Sequence, residues 1–264
     1  MIIATEFYMP KSEARLDEIV GAISLNSDVA EEVLLFVNSK EKESVLYAKR
    51  HLGFKNIVQI HEPKRQTFAS IFKRLQTEEI EGWGNSKSFA VCNNDISFTQ
   101  EAVDIINNDD MENKFLCLTR WDDRRLKLPA MSRKFSQDAW VFKPRFMSEE
   151  MIDSSQFYFG VPGCDNRIAF NAVVSGMKAL NPCELVRIDH HHSSDEKNYK
   201  RRKGRGTPEE FEKIGNPALY MNVCPSDSME YDIDKLLYKR QQSWMLKVYR
   251  GERAVIEANI TSKC

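Results

Sequence analysis

Four short apolar runs punctuate the first hundred residues: Ile2 to Thr5, Val33 to Val37, Ile57 to Ile60 and Phe89 to Cys92. Between them the spacing turns helical. Ser12 to Leu25 sets Leu16, Ile19, Val20 and Ile23 on one face, and Ser44 to Leu52 and Phe68 to Leu75 are shorter segments of the same kind. This alternation predicts an α/β fold with a mostly parallel central sheet and helices on both faces. In such sheets ligands collect at the carboxyl ends of the strands. The fourth run, FAVC, breaks there into Asn93, Asn94 and Asp95.

Past residue 100 the pattern loosens. A helix is expected over Thr99 to Ile106, a strand over Phe115 to Thr119, and a long loop over WDDRRLKLPAMSRKFSQD. Strands are expected at Ala139 to Phe142 and Phe157 to Gly160, then a helix from about Arg167 to Leu180 and a strand from Glu184 to Ile188. The tail holds a basic stretch, KNYKRRKGRG, a short strand over Leu219 to Val223 and a helix over Ile233 to Val248. No repeat or low-complexity linker interrupts the chain, so a single main domain is expected.

The length of 264 residues suits one large α/β domain, and the net charge of -1 gives no general reason to expect nucleic acid or a membrane as partner. The first residues carry no signal-peptide pattern, and no stretch approaches the roughly 18 apolar residues of a membrane span. A soluble, cytoplasmic protein is expected. Six cysteines, at 92, 117, 164, 183, 224 and 264, are scattered without a CxxC pair. That spacing disfavours a disulfide framework or a cysteine-ligated zinc, and most of the thiols should be reduced and buried.

Several residues could carry chemistry. Asp95 reads either as a turn cap or as an oxygen ligand for a hard divalent ion. A partner for it would be HHHSS, where strand alternation turns His190 and His192 to one side and His191 to the other. One carboxylate with imidazoles suits Mn2+ as well as Mg2+. Asp165 reads as a helix N-cap, or as a carboxylate held where it can take a proton from a substrate hydroxyl. Asp138 could bind sugar hydroxyls beside Trp140, itself read first as core. The six basic residues in KNYKRRKGRG form either a solvated loop, a lid over a diphosphate, or an RNA-binding patch.

The order of these motifs resembles a known group. CNNDISF, LTRWD, SQDAWVF, GCDNRIAF, the HxHxS pattern of DHHHSS and NPALYMNVCPS are similar to motifs of GT-A-fold nucleotide-sugar glycosyltransferases of bacteria and large viruses. The likeness runs from Ala14 to Pro225. It implies one GT-A-like domain over 1–225, with a nucleotide-binding half (1–110) and an acceptor-binding half (111–225), and a helical extension over 226–264. It implies a UDP- or GDP-sugar donor, a glycan or glycolipid acceptor, no nucleic-acid partner, and at most peripheral contact with a membrane. Asn93-Asn94-Asp95 would stand for the DxD motif with its first Asp replaced, Asp95 and His190 or His192 would hold Mn2+ or Mg2+, and Asp165 would be the base. Thr5, Glu6 and Arg65 would lie near the base and ribose of the nucleotide. Two other classes use similar residues: a metal-dependent hydrolase or phosphoesterase, and a nucleotide- or RNA-binding module built on the basic loop 197–206.

Overall fold

The computed structural model describes residues 1–53, 56–78, 87–122, 136–158, 160–161, 163–193, 221–232 and 236–238. The chain begins with β1 (Ile2–Phe7), α1 (Glu13–Val29), β2 (Glu32–Asn38), α2 (Lys42–His51), β3 (Ile57–Glu62) and α3 (Phe68–Glu78). Then come β4 (Phe89–Cys92), β5 (Ile96–Phe98), α4 (Gln100–Asn108), β6 (Lys114–Leu118), β7 (Trp121–Asp122) and β8 (Ala139–Phe142). The remaining elements are α5 (Glu149–Asp153), α6 (Cys164–Val174), β9 (Lys178–Leu180), β10 (Ile188–His190), β11 (Met221–Val223) and β12 (Leu236–Tyr238). Side chains open the helices: the Ser12, Thr99 and Ser148 hydroxyls accept from the backbone N–H groups of Arg15, Ala102 and Met151.

Among the described residues the main sheet runs β3-β2-β1-β4-β8-β6-β9. The first four strands are parallel, β8 is antiparallel to both neighbours, and β9 is parallel to β6. Both faces are covered, which is why the strands read as continuous apolar runs. Ile2 and Ala4 enter the core that includes Phe68, Phe72, Phe142 and Trp140, while Ile3 enters the opposite one with Ile19, Ile23 and Val103. Trp140 is core, edge-on to Phe68 with centroids 4.8 Å apart. Cys92, Cys117, Cys164 and Cys183 are buried and outside any disulfide, and burial pushes the Cys92 thiol up to about 12.

The chain order turns at β1: β2 and β3 lie to one side of it and β4 to the other. The carboxyl ends of β1 and β4 therefore diverge into loops on either side of a crevice. A second small sheet, β5-β10-β7, closes one end of that crevice. Its pairs set His190 against Ile96 and against Asp122. Asn26 ties α1 to this sheet, donating to the Ile96 carbonyl at 2.8 Å and accepting from the Phe98 N–H at 2.9 Å.

Four expectations are corrected. Of the residues expected as a strand over 157–160, the described ones, 157, 158 and 160, form only an isolated bridge between Tyr158 and Thr67. The helix expected over 167–180 is α6, which starts at Cys164 and ends at Val174, six residues before the expected end: Gly176, at φ +88°, follows its cap, and residues 178–180 extend along β6 as β9. Glu184 to Val186 is a turn because the N–H groups of Leu185 and Val186 return to the Pro182 carbonyl, so the strand begins only at Ile188. Leu236–Tyr238 pairs antiparallel with β11 where a helix was expected, and residues beyond 238 lie outside the described ones. So does the basic stretch 197–206.

Candidate active site

A cleft of about 1070 Å³ occupies the crevice. Glu6, Tyr8 and Arg65 line it on the β1 side, and Asn93, Asn94, Asp95, Arg120, Asp138, Asp165, His190 and His192 on the β4 side.

Asp95 ends a tight turn in which the Ile96 N–H returns to the Asn93 carbonyl at 3.1 Å. Its Oδ2 accepts from Arg15 Nη2 at 2.6 Å and lies 3.4 Å from both His190 Nε2 and His192 Nδ1. Burial would raise its pKa, but contacts with His190 and His192 and the charge of Arg15 outweigh that and hold the carboxyl well below the usual range. The strand alternation expected of the triplet is present: His191 turns away, its Nε2 2.7 Å from the Ser97 hydroxyl.

One ligand atom each from Asp95, His190 and His192 lie within 4.8 Å of one another. A carboxylate oxygen with two imidazoles suits a divalent ion such as Mn2+. The donors fit such an ion, and Oδ2 is shared with Arg15.

Arg15 and Glu18 had no part in the sequence reading. Arg15 is 2% exposed, and its Nη1 donates to Glu18 at 3.0 Å. Glu18 also accepts from the hydroxyl of Ser193 at 2.8 Å, so α1 holds both Asp95 and the end of the histidine segment. A signal existed: Arg15 precedes Ile19 by four residues and so lies on the buried face of the helix, where a charge requires a partner.

Asp138 is buried and engaged. Both of its oxygens accept from Arg120 Nη1 at 2.9 Å, and Oδ1 also accepts from the Asn93 amide at 3.0 Å. Arg120, also missed in the sequence, lies beside the metal-type cluster with about a third of its side chain exposed.

Asp165, expected as the N-cap, lines the same cleft from the first turn of α6, two positions past the observed cap. The N-cap is Gly163, at φ +91°, a left-handed conformation that glycine adopts without strain. Asp165 Oδ1 accepts from the Asn166 N–H at 2.9 Å, and Oδ2 faces the Gln137 N–H at 3.4 Å.

At the other end, Glu6 Oε1 accepts from the Gln66 N–H at 2.7 Å, and Oε2 lies 3.7 Å from Arg65 Nε. Burial raises the Glu6 pKa to about 7, against the opposing charge of Arg65. The Arg65 guanidinium lies over the Tyr158 ring, 4.8 Å from its centroid. Thr5 is not brought to the cleft surface: it is 1% exposed and donates to the Cys92 carbonyl at 3.0 Å, tying β1 to β4.

Neither a known protein family nor any curated protein matches the chain by sequence. Solved structures resemble it in fold. One is the mannosyltransferase PcManGT from Pyrobaculum calidifontis, in complex with GDP-Man and Mn2+, at 14% identity and TM-score 0.41, over 69% of this chain and 54% of the other. Another is TarS of S. aureus in complex with UDP-GlcNAc, at 8% identity and TM-score 0.43, over 66% and 53%. A third is the galactosyltransferase LgtC with donor and acceptor sugar analogs, at 12% identity and TM-score 0.37, over 81% and 95%. The chain spans about half the length of the first two. Those ligands belong to those proteins.

Proposed function

We propose that the chain is a nucleotide-sugar glycosyltransferase. In this reading it moves a sugar from a UDP- or GDP-linked donor to a hydroxyl of a glycan or glycolipid acceptor. The observation that carries the reading is the meeting of Asp95, His190 and His192 with Asp165 in one cleft, at the point where the strand order turns.

In this reading residues 1–110 hold the nucleotide and 111–225 the acceptor. Glu6 and Arg65 take the nucleoside end, with Tyr158 keeping the Arg65 guanidinium flat. Asp95, His190 and His192 would hold Mn2+ or Mg2+, which when bound neutralises charge on the leaving diphosphate. Arg120, fixed by Asp138, presents a further cation to the same region. This gives Asp138 the work of an anchor for Arg120 and Asn93. Asp165 accepts the proton of the acceptor hydroxyl as its oxygen bonds to the anomeric carbon and the bond from that carbon to the diphosphate breaks. The electron pair of the broken bond leaves with the diphosphate.

A cytoplasmic location fits a soluble nucleotide sugar as donor; among the described residues no helix is long and apolar enough to cross a membrane. The test is calorimetry with UDP and GDP, each with and without Mn2+, on wild type and Asp95→Ala. Binding of one nucleotide that Mn2+ strengthens and Asp95→Ala removes is expected. Absence of binding by both nucleotides overturns the reading, and hydrolysis of a phosphoester in their place supports the hydrolase class.

A further inference from the structure

We infer that Arg15 is a positioning residue that makes the divalent ion at Asp95 dependent on the nucleotide: the ion binds weakly by itself and enters together with the diphosphate. This rests on the donor reading above and adds to it a residue outside the metal-type cluster.

The first reason is the atom involved. Asp95 Oδ2 is the oxygen that both imidazoles face, and it is also the oxygen that Arg15 Nη2 approaches to 2.6 Å. An ion held between the imidazoles must share that oxygen with a guanidinium. The second reason is charge. Asn93 and Asn94 bring none, and imidazoles that ligate a metal do so in the neutral form. Asp95 and Glu18 are the carboxylates that Arg15 bridges, at 2.6 and 3.0 Å, so one of the two negative charges is already offset before any ion arrives.

The third reason is that this cation is not free to leave. Arg15 is 2% exposed, stands in the first turn of α1, and is held by Glu18, which itself is fastened to Ser193. A fixed buried cation repels a second one more strongly than an exposed, screened one does. The negative charges of a diphosphate reverse that balance. Coupling of this kind is reciprocal, so the nucleotide gains from the ion by the same factor that the ion gains from the nucleotide.

The experiment follows Mn2+ by the loss of its free-ion electron paramagnetic resonance signal on titration with full-length protein, alone and with UDP or GDP, for wild type, Arg15→Met and Arg15→Lys. Wild type should bind Mn2+ weakly alone and at least about ten-fold more tightly with the nucleotide. Arg15→Met should tighten Mn2+ alone by about ten-fold and shrink the coupling, while Arg15→Lys, which keeps the charge, should restore the wild-type pattern. Circular dichroism and a melting curve report whether each variant folds. If Arg15→Met does not, Glu18→Gln decides: with less negative charge around Arg15, Mn2+ alone should bind more weakly still. Nucleotide binding with the same Mn2+ affinity in wild type and Arg15→Met, or an unchanged affinity in Glu18→Gln, overturns the inference and leaves the donor reading standing. If neither UDP nor GDP binds to any of the proteins while Mn2+ affinity still responds to Arg15→Met, the donor reading falls and the effect of Arg15 on the ion stands.

Discussion

Arg15 and Asp95 stand eighty positions apart in the chain and meet at 2.6 Å, both almost fully buried at the edge of the cleft. Burying such a pair costs solvation on both sides, and removing one partner leaves the other uncompensated. Asp95→Ala and Arg15→Met should each destabilise the fold by about 3 kcal/mol, with the double variant losing less than the sum. Urea unfolding of the four proteins measures the coupling, and strict additivity would show that the pair does not interact in solution.

The histidine triplet divides by direction. His190→Ala should weaken Mn2+ binding in the presence of nucleotide by about ten-fold or more, as loss of a direct ligand does, whereas His191→Ala should leave it unchanged because that ring meets Ser97 on the other side. Calorimetry on the two variants checks this, and equal losses would contradict it.

Asp165→Asn keeps the size of the side chain and its acceptor oxygen toward the backbone, so donor affinity should hold. Transfer should fall by about 100-fold to 10,000-fold, the usual contribution of a general base. Single-turnover assays with a nucleotide sugar separate the two effects. Full transfer by the variant would remove Asp165 from the base role.

Glu6 gives a pH signature. Burial raises its pKa from 4.5 to about 7, so between these values the folded chain keeps a proton that the unfolded chain has released. Its contribution to stability is fully present below about 4.5 and is lost as the pH rises through about 7. Glu6→Gln, which stays neutral, should gain stability relative to wild type on going from acid to mildly alkaline buffer. Unfolding curves across that range test it, and a constant difference between the two proteins would place the Glu6 pKa near its ordinary value.

Gly160 offers a steric check at the floor of the cleft. Its φ is +72°, and a Cβ there would stand 3.7 Å from Asn93 Oδ1 and 3.9 Å from Arg65 Nη2. Space is adequate, so Gly160→Ala should cost about 1 kcal/mol from the left-handed backbone alone and leave nucleotide affinity nearly unchanged. A large loss of affinity would show that the turn shapes the nucleotide site itself.

The local pattern of the chain determined the first four strands and the three helices between them, because buried parallel strands are uninterrupted apolar runs and their helices carry one apolar stripe each. It also determined that Asp95 lies just past the end of a strand and that His190 and His192 face one way, since both follow from residue-by-residue geometry. Thr5 and Asp138 show where such reading stops. Each was expected as a site residue, yet Thr5 is turned under the surface to Cys92, and Asp138 is taken up by Arg120 and Asn93. Only the tertiary structure decided those partnerships, and with them that Arg15 of the first helix answers Asp95 and that Glu18 holds Ser193. The reason is physical: a strand or helix is chosen by neighbours a few positions away, but the partner of a buried charge is chosen by whichever distant segment the packed core brings within about 3 Å of it.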